Sequence, residues 1–195
     1  TKNTDLRFLE KVSTGTGNKE ICAFSSAMLA IAKDEAGNTR ALQLTYLDKN
    51  TSNKVVGLPI SKRTLSSPQD AFVNLTPNIK NPDITFIAEG VETALSIRDQ
   101  THKINNAQVV ASLGKNNIAH IPVNTITNKI ILVLDNDLKN PSEDVSIKKA
   151  IQHFESQGKR VDCIIPESIN NQKTDYNDLA RAQKSHLIER DIHRA

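Results

Sequence analysis

In the second half of the chain, short apolar runs alternate with segments whose apolar residues recur at helical spacing. The apolar runs predict buried strands at residues 84–88, 107–112, 129–135 and 159–166. The helical spacing predicts helices at residues 91–100, 142–158 and 178–192, and a turn with a short helix at 114–121. Ser142 is the predicted N-cap of the second long helix and Gly158 its end. Strands that alternate with helices predict an α/β fold, with helices on both faces of a parallel sheet.

The first half has a different pattern, in which imperfectly alternating apolar residues are separated by turn-forming clusters. Strands are predicted at residues 27–32, 41–47 and 55–58. Prolines and polar residues at 76–83 interrupt any regular element. We therefore predict two parts: a small β-rich N-terminal subdomain at residues 1–80 and an α/β domain at residues 81–195.

Composition places the protein among ordinary globular proteins. The 195 residues are 37% hydrophobic and 24% charged, and no apolar run approaches the roughly 20 residues that span a bilayer. Cys22 and Cys163 are too few for a disulfide framework, so we predict free thiols in a reducing cytoplasm. The chain starts without Met and without a signal peptide, which indicates a processed chain or a domain of a longer protein.

Charge is distributed unevenly along the chain. Residues 1–80 contain eleven Lys and Arg against seven Asp and Glu, a net charge of +4. The remaining residues contain fourteen against fifteen, a net charge of −1. The basic excess in the N-terminal part predicts an anionic partner.

Acidic residues follow two of the predicted strands. Glu89 and Gly90 come directly after the first strand, and Asp135 and Asp137 surround the end of the third. If these strands are neighbours in a parallel sheet, the three carboxylates meet at its carboxyl edge, where a divalent cation such as Mg²⁺ or Mn²⁺ would relieve their repulsion. Gly90 would let the backbone turn sharply there. Strand-like alternation makes Asn136 a spacer; alternatively, each acid alone is a turn, cap or surface residue.

Four segments, EGVETALS, VVASLG, LVLDND and KTDYNDL, occur in the order typical of the Toprim domain. The chain resembles this family over about residues 83–182, and especially its primase-like members. The resemblance implies that Glu89, Asp135 and Asp137 bind Mg²⁺ and support phosphoryl transfer on nucleic acid. Glu89 would serve as a metal ligand or general acid/base.

The segment KTDYNDL resembles a Lys-Asp-x-Asn-Asp-Leu motif of primase-type members, although Thr174 interrupts it. The motif marks Lys173, Asp175, Asn177 and Asp178 as candidate functional residues. Alternatively, Asn177 is the N-cap of the last helix and Asp178 stabilises its first turn.

The N-terminal part also resembles the region before the Toprim domain in primase-like proteins of phages, plasmids and conjugative elements, including relaxases. This resemblance implies that Lys62 and Arg63 lie close to the catalytic edge and bind phosphates. Lys173 of the KTDYNDL segment is also predicted to bind phosphates. Lys115 is a further candidate, because it follows a strand at the same sheet edge. The alternative for each is an ordinary surface charge.

These residues predict a metal-dependent module that processes DNA, by primase-like nucleotidyl or phosphoryl transfer, within a larger replication or conjugative-transfer protein. The expected partners are single-stranded DNA, nucleotides and other domains of the parent protein, with no membrane. Two alternatives remain open: a non-catalytic DNA-binding or assembly domain of a relaxase or helicase protein, and a Toprim nuclease. The histidines lack metal-ligand spacing and the chain lacks a Walker A motif.

Overall fold

The computed structural model describes residues 5–14, 24–51, 53–55, 58, 60–101, 104, 106–136 and 143–195. Within these ranges the chain forms two sheets. The first is an antiparallel sheet of four strands in sequential order: β1 (Leu6–Ser13), β2 (Phe24–Lys33), β3 (Thr39–Leu47) and β4 (Lys62–Leu65). The predicted strands at 27–32 and 41–47 are confirmed as parts of β2 and β3.

The strand predicted at residues 55–58 is not found at its two described residues. Lys54 makes a single β-bridge with Leu47, whereas Val55 and Leu58 lie outside any strand. Residues 56 and 57 lie outside the described part of the chain. The next strand of the sheet is instead β4, whose polar sequence KRTL has no apolar alternation that would predict a strand.

The second sheet has the strand order β5-β7-β6-β8-β9. Its members are β5 (Val73–Asn74), β6 (Ile84–Ala88), β7 (Ala107–Ala111), β8 (Lys129–Val133) and β9 (Arg160–Ile164). Strands β6 to β9 pair in parallel, and β5 adds to β7 in the antiparallel direction. Ala88 is paired with Val133, so the strands that precede Glu89 and Asp135 are neighbours, which meets the condition for their carboxylates to share one sheet edge.

The chain passes from one sheet to the other between β4 and β5, earlier than the predicted boundary at residue 80. Although β5 lies before that boundary, it pairs with β7. Lys33 of β2 also forms a β-bridge with Phe72, and Ala30 and Ala32 share a hydrophobic core with the second sheet. The two-part organisation remains our proposal, with the change of sheet between Leu65 and Val73.

Helices cover both faces of the second sheet, as the alternation of elements predicts. On one face, Phe86 and Ala88 pack with α1 (Val91–Gln100), α3 (Tyr176–Arg181) and α4 (Ser185–Arg194). On the other face, Ile87 packs with α2 (Val145–Ser156) and with the 3-10 helix Lys115–His120. Each fully buried apolar side chain contributes about 1.5–3 kcal/mol, so packing on both faces stabilises the sheet.

The start of α2 differs from the sequence prediction. The N-cap of α2 is Asp144, whose carboxylate accepts hydrogen bonds from the N–H groups of Ser146 (2.8 Å) and Ile147 (3.4 Å). The predicted cap, Ser142, lies outside the described residues. Gly158, with φ +75°, follows the helix as predicted.

The single terminal helix predicted at residues 178–192 is wrong, because the chain forms α3 and α4 with a break between them. Gln183 adopts a left-handed conformation with φ +58°. The N–H of Lys184 then donates to the carbonyl of Leu179 (2.9 Å), and that of Gln183 donates to Ala180 (3.0 Å). This is a Schellman-type ending, which glycine usually provides. The position has glutamine rather than glycine, and the helical spacing of apolar residues continues past it. The sequence therefore predicts one uninterrupted helix.

Candidate active site at the carboxyl edge of the second sheet

Glu89 and Asp135 follow paired strands at the carboxyl edge of the parallel sheet. The backbone at Glu89 is held by the loop after β7: the N–H of Gly114 donates to the Glu89 carbonyl (3.1 Å) and the Ser112 hydroxyl donates to the Ala88 carbonyl (3.2 Å). Leu113 (φ +61°) and Gly114 (φ +144°) turn this loop back toward β6. The third predicted ligand, Asp137, lies outside the described residues.

Gly90 does not have the conformational role that the sequence suggested. It is the N-cap of α1 with φ −110° and ψ 155°, an extended conformation that any residue adopts. A Cβ atom at this position would lie 3.7 Å from Oε2 of Glu92 and 4.0 Å from Nζ of Lys62, which are ordinary contacts. The turn after Glu89 therefore does not require glycine.

Asn136 is more than a spacer between two aspartates. Its N–H donates to the carbonyl of Thr174 (2.9 Å), and the Thr174 N–H donates back (3.4 Å). Its side-chain amide donates to the Pro166 carbonyl (2.9 Å) and to the Ser168 hydroxyl (3.1 Å). The backbone bonds attach the KTDYNDL segment to the end of β8, and the side-chain bonds attach the 166–168 loop to it. Thr174, which interrupts the motif, is the residue that is bridged.

As a result, a cleft of about 130 Å³ opens beside Asp135. Its lining residues are Asp135, Lys173, Thr174, Asp175 and Asp178. Asp175 and Asp178 form a capping box at the start of α3. The Asp175 carboxylate accepts from the Asp178 N–H (2.7 Å), and the Asp178 carboxylate accepts from the Asp175 N–H (3.1 Å). The cap of this helix is therefore Asp175, and the prediction of Asn177 as the cap is wrong.

The surroundings of Asp175 disfavour the negative charge of its ionised carboxylate. Burial raises the pKa of Asp175; the hydrogen bond from the Asp178 N–H opposes this rise, and the charge of the Asp178 carboxylate adds to it. Lys54 lowers this pKa and Glu92 raises it, so both residues lie within electrostatic range of Asp175. Crowded carboxylates of this kind attract cations.

Oxygen donors of this type are those that Mg²⁺ prefers, and Mg²⁺ commonly uses only one or two carboxylates besides water and phosphate. The donors that line the cleft therefore fit such an ion. In the described ranges, however, no group of three or more His, Cys, Asp or Glu side chains is arranged to hold a metal ion. The predicted trio of Glu89, Asp135 and Asp137 remains a prediction.

Next to the acidic edge lies a group of charges that sequence reasoning missed in part. Glu92 of α1 accepts from Nζ of Lys62 of β4 (3.1 Å), and its other oxygen pairs with Nζ of Lys54 (3.0 Å). The Glu92 side chain is only 16% exposed. Burial raises its pKa, but the charges of Lys62 and Lys54 outweigh burial, and the pKa lies below its ordinary value. Lys54, Lys62 and Glu92, here called the ion-pair junction, thus connect the two sheets.

One signal in the sequence could have identified Glu92. It follows Glu89 by three residues and lies in the first turn of a predicted helix, so that it returns to the same sheet edge. Lys54 carries no such signal, because its position depends on the turn between β3 and β4. Arg181 of α3 donates to Asn53 (3.1 Å), which brings this turn to the acidic edge.

The other predicted phosphate ligands, Arg63, Lys115 and Lys173, have different surroundings. Strand alternation puts Arg63 on the face of β4 opposite to Lys62, where it is half-buried. Lys115 pairs with Asp144 (3.6 Å) at the N-terminus of α2. Lys173 is exposed and lines the cleft. The structure thus brings Lys62 and Lys173 to the acidic region, and Lys115 follows Gly114 at the same carboxyl edge. Arg63 lies on the other face of β4.

The described residues offer few other reactive groups. Tyr46 and Tyr176 are 1% and 0% exposed, so neither is available as a nucleophile. Burial raises the pKa of the Cys163 thiol to about 11, which keeps it protonated. Cys22 lies outside the described residues. In the described part of the chain, none of the helices has the length and apolar character needed to cross a membrane.

Comparison with known families gives one family match. The model of the Toprim domain matches residues 84–185, just over half of the 195-residue chain. A comparison with curated proteins gives no significant match.

Several solved structures have a similar fold. The primase fragment of the bacteriophage T7 primase-helicase protein aligns with a TM-score of 0.53 and 17% identity, over 86% of this chain and 63% of that chain. The E. coli primase catalytic core aligns with a TM-score of 0.58 and 14% identity, over 99% and 58%. The DnaG primase catalytic domain bound to single-stranded DNA aligns with a TM-score of 0.55 and 15% identity, over 87% and 51%. The chain thus spans less than two thirds of these primase structures.

Proposed function

Because the chain belongs to the Toprim domain family, we propose that it is a metal-dependent DNA-processing module that carries out primase-like nucleotidyl transfer. The observation that carries the proposal is the acidic cleft of Asp135, Asp175 and Asp178 beside the ion-pair junction. Carboxylates that attract a cation and lysines that attract phosphates lie at one sheet edge. This combination suits a substrate with a chain of phosphates.

The residues that would hold Mg²⁺ or Mn²⁺ are Glu89, Asp135 and Asp137, and Asp175 and Asp178 line the cleft together with Asp135. When bound, such an ion offsets the charge of the phosphates and of the attacking and leaving oxygens. Glu89 is a ligand in this proposal, or it holds the proton of the attacking hydroxyl.

The lysines would bind and orient the phosphates. The side chains of Lys54 and Lys62 are 44% and 32% exposed, so both can contact a ligand while Glu92 limits their freedom. Lys173 would contribute from the other side of the cleft. The basic N-terminal sheet would guide single-stranded DNA toward this edge.

Two observations support a role for DNA and for further domains. One of the similar structures is a primase catalytic domain bound to single-stranded DNA. The similar primase structures also extend well beyond the region that this chain covers. We infer that the chain works within a larger replication or conjugative-transfer protein.

The test is synthesis of oligonucleotides from nucleoside triphosphates on single-stranded DNA with Mg²⁺ or Mn²⁺. We expect synthesis by the wild-type protein, at least about 100-fold less by Asp135→Ala, and none in EDTA. Asp162→Ala, which removes a half-exposed carboxylate from β9, is the matched control and should remain active.

Other outcomes would identify the alternatives. Nicking of plasmid DNA with Mn²⁺, lost in Asp135→Ala but without synthesis, would indicate a nuclease. DNA binding that persists in EDTA, without synthesis or cleavage under any metal, would indicate a non-catalytic DNA-binding or assembly domain.

A further inference from the structure

A buried carboxylate lies close to α3, outside the lining of the cleft. Asp191 of α4 is 8% exposed. It accepts a hydrogen bond from the hydroxyl of Tyr176 (3.1 Å) and two from the Arg190 guanidinium, from Nε (3.0 Å) and Nη2 (2.9 Å). Nothing in the proposed phosphate chemistry uses this group. A buried carboxylate is costly unless it is paired, and these three hydrogen bonds stabilise the charge of Asp191.

Each partner of Asp191 leads back to the acidic edge by a different path. Tyr176 is the residue directly after Asp175, and both belong to the start of α3. Arg190 also donates through Nη1 to Glu167 (2.6 Å), which lies between Pro166 and Ser168. Pro166 and Ser168 accept hydrogen bonds from the side-chain amide of Asn136, the residue that directly follows Asp135.

The contacts therefore form a closed ring. From Asp135 the ring passes through Asn136 to the 166–168 loop, then through Arg190 and Asp191 to Tyr176 and Asp175. The β-bridge between Asn136 and Thr174 closes it. The cleft acids lie at two places next to or within this ring: Asp135 precedes Asn136 at the end of β8, and Asp175 with Asp178 begins α3. The first place is connected to Arg190 through Glu167 and the second to Asp191 through Tyr176, and both of these are adjacent residues of α4.

We propose that the Arg190–Asp191 pair is a positioning unit that sets the location of Asp175 and Asp178 relative to Asp135, and so determines the affinity of the cleft for a divalent cation. The inference rests on the proposed function, because it assigns the cleft a cation. The apolar packing does not use the tyrosine hydroxyl, because the Tyr176 side chain lies in a core with Leu179, Ile188 and Ile192, contacts that a phenylalanine ring also makes. The hydroxyl adds a directional bond that fixes how α3 begins.

The experiment is a titration of the whole 195-residue protein with Mn²⁺, followed by the electron paramagnetic resonance signal of the free ion. Tyr176→Phe removes one hydroxyl, and Asp191→Asn removes the charge that pairs with Arg190. We expect each to weaken Mn²⁺ binding by about tenfold, the size of effect typical of residues that orient metal ligands.

The matched control is Tyr46→Phe. Tyr46 is as buried as Tyr176, and its hydroxyl also donates one hydrogen bond, to the carbonyl of Ser13 (3.4 Å) in the first sheet. We expect Mn²⁺ affinity within about twofold of wild type for this variant, because Tyr46 is outside the ring. Thermal unfolding of all variants ensures that affinities are compared on folded protein.

A second variant keeps the inference testable if Tyr176→Phe or Asp191→Asn fails to fold. Glu167 is largely exposed, so Glu167→Gln perturbs the ring with little effect on folding. We expect it to weaken Mn²⁺ binding about threefold, since it loosens one of the two paths. Wild-type affinity in Tyr176→Phe, or in Glu167→Gln where the first does not fold, would overturn the positioning role and leave the proposed function intact. Absence of Mn²⁺ binding by wild-type protein would overturn the proposed function and this inference with it.

Discussion

The ion-pair junction and the acidic cleft lie at the same edge of the molecule and shift the pKa of a carboxylate in opposite directions. Both Glu92 and Asp175 are partly buried, and burial raises the pKa of each. At Glu92 two lysine ammonium groups reverse this effect and the pKa falls below its ordinary value. At Asp175 the strongest opposing contact is one backbone N–H, the Asp178 carboxylate adds repulsion, and the pKa rises.

The difference distinguishes a carboxylate that is neutralised within the fold from one that we propose to bind a cation. Glu92 has its cations within the chain, so it is a poor candidate for a metal ligand. Asp175 gains from any cation that enters the cleft, because the cation removes the repulsion that burial and Asp178 create. Burial alone therefore does not identify a functional acid; the partners of the acid do.

The largest expected effect is on metal affinity at the cleft. Asp175→Asn keeps a side-chain acceptor for the capping bond but removes the charge, so Mn²⁺ binding should weaken on the order of 100-fold. Stability should stay equal or rise slightly, because the removed charge is unfavourable without metal. Calorimetric titration and thermal unfolding test both statements. A large loss of stability with unchanged Mn²⁺ affinity would mean that Asp175 is only a helix cap.

Glu92→Gln should show the opposite combination. It leaves the charges of Lys54 and Lys62 without their shared carboxylate, and we expect a loss of about 1–3 kcal/mol in the free energy of unfolding. Mn²⁺ affinity should change by less than about threefold, because Glu92 does not line the cleft. Chemical denaturation gives the first quantity. Glu155→Gln, an exposed glutamate of α2, is the matched control and should have wild-type stability.

Acidification should remove the stabilising effect of Glu92. A carboxylate whose pKa is lowered by folding stabilises the protein above its unfolded pKa of about 4.3, and this contribution is lost as pH falls through the lower folded pKa. Asp175 has the opposite sign: its raised pKa makes ionisation unfavourable to folding, and acid relieves that penalty. The stability gap between wild type and Glu92→Gln should therefore shrink from pH 7 to pH 3. A gap that widens in acid would contradict the assignment.

The smallest expected effect concerns nucleic-acid affinity. Lys62→Ala should weaken binding of single-stranded DNA by a few-fold and lower the salt dependence, with a change in slope of roughly 0.7. Fluorescence anisotropy at several salt concentrations measures both. Arg63→Ala is the control, because strand alternation puts Arg63 on the other face of β4. Equal effects of the two substitutions would show that general positive charge, rather than the junction, attracts DNA.

The elements of the second sheet were largely predictable from local pattern. Residues 84–88 and 91–100 match β6 and α1 at both ends, because continuous apolar runs and helical spacing reflect burial directly. Strand β4 and the break at Gln183 were not predictable. Strand β4 is polar and forms because it pairs with the hydrogen-bonding edge of β3. The second is a left-handed residue without glycine.

The acids after β6 and β8 were visible in the sequence for a simple reason: a strand that is buried until its last residue and then carries carboxylates must end at a surface. The family of the chain followed from the same segments. Their neighbours could not be predicted, because Asp175, Asp178 and Lys54 reach this edge through contacts between residues far apart in sequence. The bridge from Asn136 to Thr174 and the ion pairs of Glu92 are such contacts.

By itself, then, the sequence determined the parallel α/β architecture, the position of Glu89 and Asp135 at its carboxyl edge, and membership of the Toprim family. These depend on local hydrophobic periodicity and on short motifs, and each is contained in a few adjacent residues. Only the tertiary structure decided that Lys54 joins Lys62 on Glu92, that Asp175 caps α3 beside Asp135, and that α4 connects both sides of the cleft. Those arrangements depend on long-range packing and charge pairing, whose geometry exists only once the two sheets and the helices have come together.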